Sequence, residues 1–344
     1  RTNSNLALTI DSSGNAEFHR GNISGSATST GSFGMLRVGD NGANLELRTK
    51  GANIAIGNLN TYPYVMNSSA GNYNIAIGTE TMMSQTSGER NTGLGYQAGR
   101  SNVGGDYNTF MGFGAGRGTT SGTYAGNTGL GYQALYTVNT GNNNTAVGRN
   151  ALYQLDKGEK SVAVGISAGY YATGSYNTFV GTDAGLGGTT SAPYSSGQYN
   201  VAMGNQALEG FTTANYNTAI GHQAGEAITT GTGNTFLGFR AGITATTADY
   251  SVGIGYGALG DATLTGNYNI GIGNNAGLNL TSGAENIILG YNAGYTMTDT
   301  SYAVIIGRYA GYNINSSDAN GTIAIGFNAG LSITSGQKNT IIGY

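Results

Sequence analysis

Residues 217–225 have the sequence Asn-Thr-Ala-Ile-Gly-His-Gln-Ala-Gly, and variants of this unit recur along most of the 344-residue chain. Aligned on the glycine after the aliphatic residue, the unit occurs 17 times, and 10 of the 16 spacings are 17 residues. A short fixed period is the signature of a repeat architecture, in which stacked units bury each other's apolar surface. The aligned glycines are Gly57, Gly78, Gly95, Gly112, Gly131, Gly148, Gly165, Gly181, Gly204, Gly221, Gly238, Gly255, Gly273, Gly290, Gly307, Gly326 and Gly343.

The composition indicates strands and turns rather than helices. The chain has 62 glycines, too many for helices, and its 24 tyrosines and net charge of -3 differ from the composition of disordered chains. With only 2 prolines it is not collagen-like either. The sequence therefore predicts an all-β fold, a repetitive parallel β-roll or β-solenoid with 17 coils of about 17 residues. The two longest spacings contain Pro63 and Pro193 and predict surface loops.

The charge pattern excludes two classes of partner. The 14 Lys and Arg residues are scattered among 17 Asp and Glu residues, so there is no basic stripe for nucleic acid or for an anionic membrane. No apolar run approaches the length of a membrane helix, so we expect no membrane insertion. The absence of cysteine removes disulfides and thiolate metal sites.

Within each unit, residues alternate between the two faces of a strand. The residue after Asn and the residue before Gly, such as Thr92 and Leu94, share one face, which we predict to line the lumen of the coil. The residue between them is also apolar and is predicted to point outward. Since a strand that is apolar on both faces is buried on both, an identical chain is expected to cover the second face. The predicted interface residues are Phe110, Phe179, Phe236, Ile288 and Ile305.

Aromatic residues follow the repeat glycine in 8 of the 17 copies. A second series of tyrosines, such as Tyr216, precedes the repeat Asn or its replacement. Rigid amphipathic rings suit contact with a sugar or with a protein partner, and the alternative is that they only stack to stabilise neighbouring coils. The candidates for glycan or receptor contact are Tyr96, Phe113, Tyr132, Phe239, Tyr256, Tyr291 and Phe327.

Residues for catalysis are scarce. The two histidines, His19 and His222, are far apart in sequence, and no ligand spacing indicates a metal site. A polysaccharide-cleaving spike would need facing carboxylates, for which stacking offers Asp156 or Glu159 near Asp183. We expect no catalytic residues, no cofactor and no enzymatic activity.

Ice binding is an alternative, because one Thr per coil in the position after Asn would form a flat array. In other coils this position is Val or Ile, as in Val162 and Ile287, which indicates burial and argues against it.

Residues 1–50 differ from the repeats. Residues 6–10 and 16–19, on either side of a turn, predict a β-hairpin, and residues 21–34 form a connector rich in Ser, Thr and Gly. The repeat domain is expected to span residues 51–344. Because the chain ends halfway round a coil, we expect the domain to continue beyond Tyr344.

The unit Asn-Thr-Gly-Leu-Gly-Tyr-Gln-Ala-Gly at residues 91–99 resembles the repeats of tail-fibre-domain proteins and of YadA-like heads in trimeric autotransporter adhesins. The resemblance covers residues 51–344. It implies a homotrimeric, left-handed parallel β-roll presented outside a cell or on a virion. The unit here is longer than the adhesin unit, and no adhesin neck or membrane anchor is visible. Residues 24–39 resemble connector segments of virion fibres and favour a virion.

The sequence thus predicts a structural rod of a virion tail fibre that presents or forms a surface for a host receptor glycan. Its expected partners are two further copies of itself, a cell-surface glycan or other virion proteins, and its expected location is extracellular. The alternatives are a bacterial trimeric adhesin or extracellular filament, an ice-binding solenoid and a polysaccharide-cleaving spike.

Overall fold

The computed structural model describes residues 8–10, 16–18, 45–50, 53–58, 71–188 and 194–344. Two short strands, β1 (Leu8–Ile10) and β2 (Ala16–Phe18), pair antiparallel with Leu8 opposite Phe18. The predicted connector at residues 21–34 lies outside the described residues.

Seventeen strands, β4 to β20, stack in parallel and in chain order, one in each coil. The first is six residues long and the others are three residues long. They are β4 (Asn53–Asn58), β5 (Ile75–Ile77), β6 (Thr92–Leu94), β7 (Thr109–Met111), β8 (Thr128–Leu130), β9 (Thr145–Val147), β10 (Val162–Val164), β11 (Thr178–Val180), β12 (Val201–Met203), β13 (Thr218–Ile220), β14 (Thr235–Leu237), β15 (Val252–Ile254), β16 (Ile270–Ile272), β17 (Ile287–Leu289), β18 (Val304–Ile306), β19 (Ile323–Ile325) and β20 (Thr340–Ile342). A short 3-10 helix, Ser317–Ala319, lies between β18 and β19. The predicted all-β solenoid is therefore confirmed.

Strand β3 (Leu45–Lys50) pairs antiparallel with β4 along its whole length and covers the outer edge of that strand. The sheet therefore begins at Leu45, ahead of residue 51, where the sequence places the start of the repeats. An edge that is already paired is not available for association with another strand.

Neighbouring coils are stacked in register, so that equivalent residues of the repeat lie next to each other. Thr218 pairs with Thr235 and Ile220 pairs with Leu237. The backbone N–H of Thr218 donates to the carbonyl of Asn234 in the following coil, 2.8 Å away. Each position of the repeat therefore forms a column along the rod.

The middle residue of each strand points into the coil, so the predicted assignment of the two strand faces is wrong. Phe110 is 1% exposed and Phe236 is 0% exposed, whereas Leu94, in a flanking position, is 39% exposed. All five residues predicted at a subunit interface are buried inside the coil of their own chain: Phe110, Phe179, Phe236, Ile288 and Ile305.

The physical reason is the size of the lumen. The middle residue of one coil meets the middle residue of the next, and each phenylalanine in this column has Gly or Ala on both sides. A Cβ added to Gly253 would lie 2.8 Å from Cδ1 of Phe236, and one added to Gly129 would lie 3.1 Å from Cδ1 of Phe110. The alternation of Phe with Gly is therefore core packing at high density.

A ladder of buried asparagines runs along the rod beside the strands. The side-chain amide of Asn217 donates to Oδ1 of Asn200 at 3.2 Å and to the carbonyl of Gly231 at 2.8 Å. The Asn217 Oδ1 in turn accepts from the backbone N–H of Asn234 at 2.9 Å. Because buried amides are costly without partners, this network fixes the register of the coils.

The repeat glycine allows the backbones of neighbouring coils to touch. Gly238 has a φ of +135°, and a Cβ at that position would lie 2.6 Å from the carbonyl oxygen of Gly255. Both the backbone angle and the space therefore exclude a side chain.

Replacing the repeat glycine should destabilise the rod. For Gly238→Ala we expect a loss of about 2 kcal/mol or more in the free energy of unfolding, because strain and a backbone clash act together. Urea unfolding followed by circular dichroism measures this. In the control Gly104→Ala, the nearest atom to the new Cβ is the side-chain oxygen of Ser87, and φ is not positive, so little change is expected. Equal losses in both variants would contradict the stacking of the glycines.

The inward position of Phe236 predicts a second effect. Phe236→Ala should reduce the free energy of unfolding by about 3–5 kcal/mol, the usual cost of emptying a buried aromatic site. Thr230→Ala is the control, because Thr230 is exposed and its φ is not positive. If Phe236→Ala were as stable as this control, Phe236 would not belong to the core.

Candidate functional site

The residues on either side of the buried middle residue form an exposed apolar surface, which we call the sheet face. It consists of two columns, the residue after Asn and the residue before Gly, represented by Val162 and Val164 in β10. No residue of either column is charged. The column before Gly, described from the second coil onward, is aliphatic throughout: Ile77, Leu94, Met111, Leu130, Val147, Val164, Val180, Met203, Ile220, Leu237, Ile254, Ile272, Leu289, Ile306, Ile325 and Ile342.

The predicted contact aromatics form a third exposed column directly beside the sheet face. The structure brings Tyr96, Phe113 and Tyr132 together in one stack, with ring centroids 5.1 and 5.3 Å apart. Phe239 and Tyr256 form a second stack at 5.1 Å.

The two remaining candidates, Tyr291 and Phe327, do not stack on each other. The Arg308 guanidinium separates them and lies 5.6 Å from the Tyr291 ring centroid and 5.9 Å from that of Phe327. This arginine therefore replaces a ring in the aromatic column, through cation–π contacts.

Stacking limits what these rings offer to a ligand. Phe113 has a ring on each side, so both of its faces are covered and its edge points to solvent. A pyranose ring stacks on an aromatic face, so it needs a ring that is free on one side. For such an inner ring the distances favour the alternative explanation, in which the rings hold neighbouring coils together.

The tyrosines before the repeat Asn form a column on the other side of the sheet face. Tyr199 stacks between Tyr176 and Tyr216, with centroids 4.8 and 5.0 Å away. Its φ is 58°, in the left-handed region that bulky residues avoid. Other coils place Gly126 or Asn143 at this position, which take that φ more readily. The recurrence of Tyr therefore indicates a role for its side chain.

The carboxylates proposed for a cleaving site do not form a pair. Asp156 accepts a hydrogen bond from Asn139 at 2.7 Å, and Glu159 accepts from the Tyr176 hydroxyl at 3.3 Å. Asp183 instead lies near Glu209 in the following coil. The sequence-based pairing is thus not found in the described coils.

The histidines and acidic residues of the described ranges include no group of three that could hold a metal ion. His222 is exposed, and its Nδ1 lies 3.1 Å from the carbonyl oxygen of Asn205. His19 lies outside the described residues.

A polar groove, which the sequence analysis missed, lies away from the sheet face. Its volume is about 620 Å³, and it crosses several neighbouring coils. The signal that could have located it is the 23-residue spacing between Gly181 and Gly204, which contains Pro193 and Tyr194. The groove is lined by Thr119, Thr137, Asn139, Gln154, Asp156, Lys157, Thr173, Tyr194 and Ser196.

Glu209 is the acidic residue with a shifted pKa. Partial burial, followed by the charges of Glu226 and Asp183, raises the pKa of the Glu209 carboxyl, and a hydrogen bond with Gln206 opposes the rise. A carboxyl whose pKa is raised by folding favours the protonated folded state. Its contribution to stability is present below the ordinary Glu pKa and is lost as pH rises through the raised value.

Glu209→Gln should therefore stabilise the rod at neutral pH. We expect a higher thermal unfolding midpoint than wild type at pH 7, and a difference that disappears below about pH 4, where both side chains are neutral. Thermal scans at both pH values measure it. Glu285→Gln, at an exposed position, should leave the midpoint unchanged at both. A lower midpoint for Glu209→Gln at pH 7 would contradict the repulsion among the three carboxylates.

Comparison with known proteins gives no relative from which a function follows. The chain matches no family model, no curated protein and no solved structure. Among the residues described, no helix is long and apolar enough to cross a membrane. The functional argument therefore rests on the surfaces of the solenoid.

Proposed function

We propose that this chain is the rod segment of a homotrimeric surface fibre that spaces and presents a receptor-binding surface. The observation that carries the proposal is the exposed sheet face, which is uncharged throughout, aliphatic in the column before Gly, and Thr, Val or Ile in the column after Asn. The proposed role is mechanical and adhesive, and the proposed location is extracellular.

The size of the sheet face supports a stable protein contact. Strands stacked at about 4.8 Å, each about 10 Å long, give a face of about 800 Å² for the 17 coils. The largest apolar patch on a typical monomer is about 300–600 Å², whereas each partner in a standard interface buries about 800 Å². A second copy is the natural occupant, because its columns have the same spacing along the rod.

The flanking tyrosines support the same conclusion. Left-handed backbone costs about 1–2 kcal/mol for a residue with a side chain, and eight coils place Tyr there. Tyr216 and Tyr302, at 62% and 61% exposed, gain little from burial in their own chain. Contact with a neighbouring chain would bury these rings and offset the strain.

The number of chains and the kind of fibre follow from the resemblance of residues 51–344 to tail-fibre and trimeric-adhesin repeats. The resemblance of residues 24–39 to virion connectors favours a virion tail fibre. A cell-surface adhesin or an extracellular filament of a bacterium is the alternative, and both use the same covered face.

Ice binding is a second candidate, because the structure removes the argument made against it. The threonines after Asn, such as Thr109 and Thr128, lie half-buried on the sheet face and not in the lumen. However, the adjacent column is aliphatic and carries no hydroxyl to order water, which favours a protein partner. Thermal hysteresis of the purified monomer would support ice binding, and its absence would exclude it.

Light scattering at low concentration tests the proposed assembly. We expect a molar mass of about three times 35.0 kDa for the wild-type chain. Leu237→Lys, at a sheet-face residue that is 43% exposed, should lower the mass toward the monomer, because a charge would be buried at the contact. Thr230→Lys adds the same charge at an exposed position elsewhere on the coil and should leave the mass unchanged.

The outcomes separate the parts of the proposal. A wild-type monomer would overturn the covered face, and a dimer would keep the covered face but overturn the trimer. Circular dichroism of Leu237→Lys shows whether the lower mass reflects lost association or lost folding.

A further inference from the structure

We propose that the polar groove lined by Asn139, Gln154, Asp156, Lys157 and Tyr194 is a binding site for an oligosaccharide. This inference rests on the proposed extracellular role and places the glycan contact at a different surface from the exposed aromatic column. The observations behind it are the fixed polar wall, the unpaired polar groups and the position of one tyrosine ring.

One side of the groove is held rigidly by hydrogen bonds between coils. The Asn139 amide donates to Oδ1 of Asp156 at 2.7 Å and to the Thr119 hydroxyl at 3.0 Å. The Asn139 Oδ1 accepts from the backbone N–H groups of Thr119 and Thr120, both at 3.0 Å. The orientation of the Asp156 carboxylate is therefore fixed before a ligand arrives, which lowers the entropic cost of binding.

Other polar groups of the groove have no partner in the described part of the chain. The Gln154 side-chain amide and the Lys157 ammonium make no hydrogen bond or ion pair there, and Oδ2 of Asp156 accepts none. Together they offer donors and acceptors on adjacent positions. Neighbouring hydroxyls of a sugar ring, each both a donor and an acceptor, complement such a set.

Tyr194 places an end ring of an aromatic stack beside the polar groups of the groove. It is the last ring of a run that begins at Tyr136 and continues through Tyr153, Tyr170 and Tyr171. The Tyr194 ring stacks on Tyr171 with centroids 5.9 Å apart, and no second ring covers it among the described residues. An end ring keeps one face free for a sugar, which an inner ring of a stack does not.

The composition of the lining distinguishes a sugar from other ligands. Of the nine residues one is aromatic, none is aliphatic, and Asp156 and Lys157 balance each other in charge. A hydrophobic peptide would bury these amide and charged groups without partners, and a simple anion would meet a carboxylate. The volume of about 620 Å³ falls within the usual range of about 300–1,000 Å³ for small-molecule sites.

A fluorescence experiment tests the site, because the chain contains no tryptophan. Tyr194→Trp keeps an aromatic wall and introduces one reporter in the groove. The wild-type chain is first applied to an array of defined neutral and acidic oligosaccharides, and the bound glycans are then titrated into Tyr194→Trp. We expect binding to at least one glycan and a change in Trp emission on titration.

Two groove variants and one control locate the binding. Gln154→Ala and Tyr194→Ala should each weaken binding by about tenfold, the effect of losing one hydrogen bond or one stacking contact. Thr230→Ala, at an exposed position outside the groove, should bind as wild type. Failure of the wild type to bind any array glycan overturns the proposal, as does binding that both groove variants retain in full.

Binding of an array of peptides in place of glycans would also overturn the proposal. Light scattering on the same sample distinguishes this failure from failure of the fibre assignment. A trimer that binds no glycan would refute the glycan site and leave the fibre proposal intact. A monomer that binds glycan through Tyr194 would refute the trimer and leave the glycan site intact.

Discussion

The rest of the structure depends on in-register stacking, in which each coil hydrogen-bonds to the next through the same positions of the repeat. Because of this constraint, residues at the same position of the repeat lie above one another in a column along the rod. It explains why Gly238 must lack a side chain, since the carbonyl of Gly255 occupies that space. It also explains the buried asparagines, whose amides reach both a neighbouring amide and a backbone carbonyl.

The period and the strands were predictable from the sequence, because spacing survives substitution at single positions. Which face of each strand points into the lumen was not predictable, because both faces are apolar and hydrophobicity alone does not distinguish them. The distinguishing signal is size. Phe236 lies beside Gly253 and Phe110 lies beside Gly129, a complementarity that only an enclosed column requires. Flanking residues such as Leu94 and Leu237 show no such alternation, as expected for residues outside the enclosed column.

The sequence analysis missed the groove for a different reason. Its residues come from coils of unequal length, and the distance between columns depends on how each coil closes. Asn139 and Asp156 occupy the same repeat position in adjacent coils, so their contact was accessible from the alignment. The position of Tyr194 was not, because it lies within the longest spacing of the repeat, between Gly181 and Gly204. The sequence alignment predicts that the aromatic residues lie in columns. Only the distances between ring centroids show which ring faces are covered by a neighbouring ring.

The sheet face and the groove are thus separate surfaces of the rod with different side chains. The sheet face and its flanking columns lie within a few residues of the repeat glycine, and the sheet face itself carries no charged residue. The groove residues, from Thr119 to Ser196, belong to none of these columns. The proposed association through the sheet face would therefore use none of the groove residues, and each copy in the proposed assembly would keep its own groove. Repetition of one weak site in every chain of a rigid rod raises avidity without a stronger individual contact. A repeat that fixes columns so strictly is suited to this arrangement, because it holds the sites of different chains at constant distances.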